Sequence, residues 1–83
     1  MALPQGGSST RTEELTPRER VVLSLMAQGL TNLEIGETLH LATGTVKAHT
    51  SSILMKLGVR NRTEAVLVSM GVAVQGRHDY PEL

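Results

Sequence analysis

The sequence predicts an all-α fold, a bundle-like domain of four short helices. Three observations lead there. Helix-start patterns occur three times, in "LTPRE", "TNLE" and "NRTE", each pairing a hydroxyl or amide side chain with a glutamate three residues later. The apolar content is aliphatic, with no Trp or Phe and a single tyrosine, Tyr80, which favours packed helices over an aromatic-rich sheet. No segment carries a strand signal, and no internal repeat is long enough for a solenoid.

The chain has 83 residues, room for one domain with a thin core. Residues 1–14, "MALPQGGSSTRTEE", combine Pro4, Gly6, Gly7, Ser8, Ser9 and Thr10. That is the composition of a flexible linker or tail, and the fold is expected to begin at Leu15.

The first helix starts with Thr16 as cap, Pro17 at the first helical position and Glu19 completing the capping box. Val22, Leu25 and Met26 recur at helical spacing, and Gly29 reads as a left-handed terminator. A second, shorter helix follows with Thr31 as cap and Glu34 behind it; Ile35 and Leu39 give it one apolar edge before "HLATG" turns the chain. Gly36 weakens that helix by up to about 1 kcal/mol relative to Ala, a cost that reads as close approach of another helix ahead of a ligand contact. The third helix is "TGTVKAHTSSILMKL", closed by Gly58. A fourth starts at Asn61, with Glu64 in the box position, and runs to about Met70 with Gly71 as its stop. The domain is thus expected over residues 15–72. Residues 73–83 form a tail or extend the fourth helix.

Composition excludes several classes. There are no cysteines, so disulfides, a cysteine-bearing zinc site and a thiol nucleophile are ruled out, and a reducing compartment fits. No apolar run approaches the roughly 18 residues of a membrane span, and residues 1–14 lack the apolar segment of a signal peptide. The expectation is a soluble cytoplasmic domain with no membrane partner. Eight basic and eight acidic residues balance, but their distribution is uneven. Residues 42–62 hold Lys47, Lys56, Arg60 and Arg62 and no acid.

At about 100° per residue, the third helix divides into two faces. Val46, Thr50, Ile53 and Leu57 form an inward stripe, with His49 and Leu54 on its shoulders. Gly44, Lys47, Ala48, Ser51, Ser52 and Met55 fall opposite. A solvent-facing helix is usually filled with long charged residues, whereas this outer face is small and acid-free. Such a face suits entry into a DNA major groove about 12 Å wide. There Lys47 would address guanine acceptors, Ala48 a thymine methyl and Ser51 a base edge. Thr45, Lys56, Arg60 and Arg62 would hold phosphates, which set position more than sequence preference. With the short helix before it, the third helix completes a helix-turn-helix. A solvated surface or a protein contact is the competing reading of the same composition.

The order of "LTPRE", "GLTNLEI", "TVKAH" and "KLGVRNRTEA" between Leu15 and about Met70 resembles the DNA-binding domain of the LuxR family of bacterial transcription regulators, found also in response regulators of the NarL and FixJ type. The resemblance implies a four-helix domain with helices two and three as the helix-turn-helix. It places Lys47, Ala48 and Ser51 at bases and Thr45, Lys56 and Arg60 near phosphates. It also implies a dimer through the fourth helix at Ala65, Leu67 or Val68, and RNA polymerase as a further partner. Three positions depart from the family pattern. Ala42 stands where Ser or Thr usually caps the recognition helix, so that Thr43 would cap one residue late or the helix would start looser. Gly36 stands where Ala is usual, and Ser51 is shorter than the readers many members carry nearby.

Other candidates carry less. Glu37 and His40 have the E-x-x-H spacing of bundle metal sites but lack the second pair such a site needs, so no metal or cofactor is expected. His49, beside an apolar stripe, reads as a partly buried, locally bonded histidine rather than a switch. No Ser, His and acid set follows from spacing, so an enzyme is not expected. Val21 adds an apolar residue beside Val22 and reads as an isolated exposed valine. The function expected is sequence-specific binding of double-stranded DNA by a bacterial transcription regulator, as a dimer on two half-sites. The rivals are a helical module that pairs with and antagonises another regulator, and a promoter-reading domain like region four of a sigma factor.

Overall fold

A computed structural model of the chain describes residues 14–72. The linker expected before Leu15 and the tail expected from residue 73 fall outside the described residues, apart from Glu14. Among the described residues there are four helices and no strand: α1 Pro17–Ala27, α2 Asn32–Leu39, α3 Thr43–Leu57 and α4 Arg62–Ser69.

Each start follows local chemistry. Thr16 and Thr31 sit in extended backbone and accept from the amides of Glu19 and Glu34 at 3.1 Å, and both glutamates return the bond to the cap amide. The third expected box closes only halfway. Asn61 accepts from the Glu64 amide at 2.9 Å, but the Glu64 carboxylate accepts from the Arg60 amide instead of from that of Asn61. At α3 the expectation fails differently. Ala42 is the cap residue and offers no side-chain bond, while Thr43 is already the first helical residue. Thr43 therefore does not cap, and the helix begins on backbone geometry alone, with the amides of Thr45 and Val46 both donating to the Ala42 carbonyl.

The ends are equally local. Gly29 and Gly58 take positive φ of 94° and 70°, and the Leu30 amide returns to the Leu25 carbonyl at 3.2 Å to close α1. After α2 the left-handed residue is His40, with φ 61°. That tight turn folds Leu41 back on Gly36, whose carbonyl accepts from the Leu41 amide at 2.8 Å. A Cβ on Gly36 would stand 2.5 Å from the Leu41 carbonyl oxygen, so the backbone that approaches it belongs to the turn after α2 and not to another helix.

The core is a single cluster of Leu15, Val22, Leu23, Met26, Ile35, Val46, Ile53, Leu57 and Ala65. α3 packs against all three other helices. The inward stripe is as expected for Val46, Ile53 and Leu57. Thr50 is half-buried and donates its hydroxyl to the Val46 carbonyl at 3.0 Å, so it needs no outside partner. In α1 the inner row includes Leu23 and the carboxylate-bearing Glu19, while Leu25 is only half-buried.

Candidate nucleic-acid interface

Thr43, Gly44, Thr45, Lys47, Ala48, Ser51 and Met55 are the exposed residues of α3, and they occupy one side of it. Lys47, Ala48 and Ser51, the expected base readers, are therefore brought together on an open surface. Lys47 has no ion-pair partner among the described residues. A Cβ added at Gly44 would meet nothing within 4 Å, so no packing inside the domain demands glycine there. Met55 is 76% exposed at the far end of the same row. The antecedent helix α2 is held against α3 by Ile35, Val46 and the Gly36–Leu41 turn. The pair has the form of a helix-turn-helix with α3 as the outer, presenting helix.

The expected phosphate residues separate into two groups. Thr45 is exposed in the first turn of α3, and Arg60 lies in the loop before α4 with its side chain 55% exposed. The Arg60 guanidinium meets the Glu64 carboxylate at 3.3 Å. Lys56 and Arg62 are half-buried, and each is bonded within the domain. The Lys56 ammonium pairs with Glu19 Oε1 at 2.9 Å. The Arg62 guanidinium donates to Asn32 Oδ1 at 2.8 Å and to the Leu30 carbonyl, tying the start of α4 to the turn between α1 and α2. Both cations are engaged in holding the domain together. Ser52, read as outward-facing, is half-buried and donates to Glu19 Oε2 at 2.6 Å.

Glu19 is the residue that sequence reasoning undervalued. It is the capping residue that its place in the sequence predicts, and it is also a buried carboxylate, 5% exposed. Burial by itself raises its carboxyl pKa. The Ser52 hydroxyl, the Lys56 ammonium and the Thr16 amide outweigh that and lower it from 4.5 to about 2. A visible sign existed. Glu19 stands three, four and seven residues before Val22, Leu23 and Met26, so it lies in the apolar stripe of its helix, and an acid placed there needs an inner partner.

On α4, Ala65 is fully buried in the domain's own core. Val68 is half-buried against the core, and Leu67 is half-exposed. The exposed apolar residues at this end are Met70, 65% exposed, and Val72, 46% exposed. Glu37 and His40 are both exposed, His49 is half-buried and Val21 is exposed. Among the described residues no three His, Asp or Glu side chains group as metal ligands, and no helix is long and apolar enough to cross a membrane.

Comparison with known proteins agrees with this geometry. Transcriptional regulatory protein LnrK of Bacillus subtilis (strain 168) is 49% identical over 63 residues, covering 74% of this chain and 29% of LnrK. Transcriptional regulatory protein LiaR of the same organism is 47% identical over 62 residues, covering 75% of this chain and 29% of LiaR. Response regulator protein VraR of Staphylococcus aureus (strain Mu3 / ATCC 700698) is 49% identical over 55 residues, covering 66% of this chain and 26% of VraR. The chain thus spans less than a third of the length of these relatives. Among solved structures, a chain from the crystal structure of the anti-activator RapF complexed with the response regulator ComA DNA-binding domain matches with a TM-score of 0.66 and 45% identity. That match covers 68% of this chain and 97% of the other. The sequence profile described as "Bacterial regulatory proteins, luxR family" matches residues 13–69. The matched residues begin ahead of α1 and end with the last residue of α4, so the whole helical fold, and not the helix-turn-helix alone, places this chain in the luxR family of bacterial regulatory proteins.

Proposed function

We propose that the domain binds duplex DNA sequence-specifically by laying α3 in the major groove, as the operator-reading part of a cytoplasmic bacterial transcription regulator. The observation that carries this reading is the single exposed face of α3, where Lys47, Ala48 and Ser51 stand together with no acid among them. Lys47 addresses guanine acceptors, Ala48 a thymine methyl and Ser51 a neighbouring edge. Thr45 and Arg60 contact phosphates on either side. The function is recognition, with no chemical step.

The reading includes a dimer on two half-sites, its contact formed by the half-buried Leu67 with the exposed Met70 and Val72 at the end of α4. With Lys56 and Arg62 engaged internally, few cations remain for phosphates. Arg60 is the cation assigned to a phosphate, which gives a logarithmic salt slope of about 0.9 per monomer. Affinity of a monomer is then modest, and pairing on spaced half-sites supplies the rest.

Selection from random-sequence duplexes tests the proposal. An enriched motif, with affinity reduced by about 1 to 3 kcal/mol in Lys47→Ala, supports it. Unchanged operator binding by Lys47→Ala would remove α3 from the groove, and a flat selection profile at low salt would favour the rival, a helical module that binds protein.

A further inference from the structure

The Glu19 carboxylate takes three donors at the junction of α1 and α3, with its side chain only 6% exposed. Oε1 accepts from the Thr16 amide at 2.9 Å and from the Lys56 ammonium at 2.9 Å, and Oε2 accepts from the Ser52 hydroxyl at 2.6 Å. The first bond closes the capping box of α1 and uses one oxygen. The other two cross to α3 and are not needed by α1 at all.

Ser52 and Lys56 are four residues apart, so they stand about 6 Å apart along the axis of α3. Two rungs from one carboxylate therefore grip that helix along a line. The line lies to one side of the reading row, since Ser52 follows Ser51 by about 100° around the helix. Apolar burial of Val46, Ile53 and Leu57 holds α3 to the core, and the hydrophobic effect behind it is non-directional. Hydrogen bonds are directional. With side-chain tips about 5 to 6 Å from the axis, a rotation of about 20° displaces a tip by about 2 Å, enough to break a hydrogen bond. The same rotation would carry Lys47 and Ser51 equally far from a base edge.

We propose that Glu19 is a positioning residue for DNA reading: through Ser52 and Lys56 it fixes the rotation of α3 relative to α1, and so aligns Lys47, Ala48 and Ser51 with the bases. This rests on the reading of α3 as the groove-binding helix. Without the rungs, the domain remains folded and still meets phosphates, but it discriminates less between sequences.

The test uses Ser52→Ala, which removes one rung outside the reading row, with Ser52→Thr as the variant that keeps the hydroxyl, and Glu19→Gln, which keeps an oxygen for the Thr16 amide but loses the charge pair. Urea unfolding first sets conditions under which every variant is folded. Affinity is then measured for the selected duplex and for a scrambled duplex, and residual dipolar couplings give the orientation of α3 against α1. In Ser52→Ala the ratio of selected to scrambled affinity is expected to fall roughly five- to tenfold with scrambled affinity unchanged, α3 to rotate, and Ser52→Thr to restore both. In Glu19→Gln the ratio falls further, because freeing Lys56 raises binding to the scrambled duplex. A folded Ser52→Ala that keeps both the ratio and the couplings of the parent overturns the proposal. If the parent selects no sequence, the DNA reading fails separately, and unchanged couplings in Ser52→Ala still overturn the positioning role.

Discussion

Replacing Ala42 by Ser should stabilise the domain, because α3 is the one helix of the four that starts without a side-chain cap. The backbone at Ala42, φ −65° and ψ 148°, is close to that at Thr16, φ −69° and ψ 163°. At Thr16 and Thr31 the same arrangement puts a side-chain oxygen 3.1 Å from the amide three residues on. A serine hydroxyl at position 42 would therefore reach the Thr45 amide, which now donates to the Ala42 carbonyl at 3.0 Å. Position 42 is exposed, so the added oxygen displaces nothing. The gain expected is about 1 kcal/mol. For a domain of this size that raises Tm by about 4 to 8 °C, read by far-ultraviolet circular dichroism, and it raises the urea midpoint with an unchanged slope. A change in Tm of less than about 1 °C, or a decrease, would refute the inference that the entrance of α3 lacks a partner in the folded protein.

Three further outcomes follow from the same contacts. The Glu19 carboxyl, at about 2, lies below its ordinary 4.5, so its contribution is complete above about pH 4.5 and is lost as pH falls towards 2. Urea unfolding across that window should show a loss of stability on the order of a few kcal/mol, much reduced in Glu19→Gln. Gly36→Val should destabilise by about 2 kcal/mol, since its Cβ would stand 2.5 Å from the Leu41 carbonyl oxygen; a variant as stable as the parent would show that the turn yields freely. Arg62→Ala should lower stability by about 1.5 to 3 kcal/mol, the range for hydrogen bonds from a charged donor, and leave the salt slope of DNA binding unchanged; a slope shallower by about 0.9 would return Arg62 to the phosphates.

The outcome of reading the sequence follows the range of each interaction. Helix positions were legible because Thr16, Thr31, Asn61, Gly29 and Gly58 act on amides and carbonyls within a few residues. Val46, Ile53 and Leu57 were legible because a helix repeats its inner face. At Ala42 the signal was present and pointed to trouble, but local pattern did not say whether Thr43 would move into the role; the backbone keeps Thr43 inside the helix. The exposed row of Lys47, Ala48 and Ser51 was read from helical period and coincides with the open face.

Contacts between distant parts of the chain leave no local pattern. Lys56, Arg62 and Ser52 were sorted by charge and helical angle, yet their partners, Glu19 and Asn32, lie 30 to 37 residues away in the chain. Ala65 looked like surface because nothing nearby in sequence shows that α1 and α3 close over it. The sequence by itself determined where α1, α2 and α4 begin, where α1 and α3 end, and which side of α3 is small and free of acids, since caps and periodicity are local. Only the tertiary structure decided which cations face outward and which are held inside. That depends on how α1, α3 and α4 cross, and a charged side chain long enough to reach either way takes the partner that the crossing brings within about 3 Å.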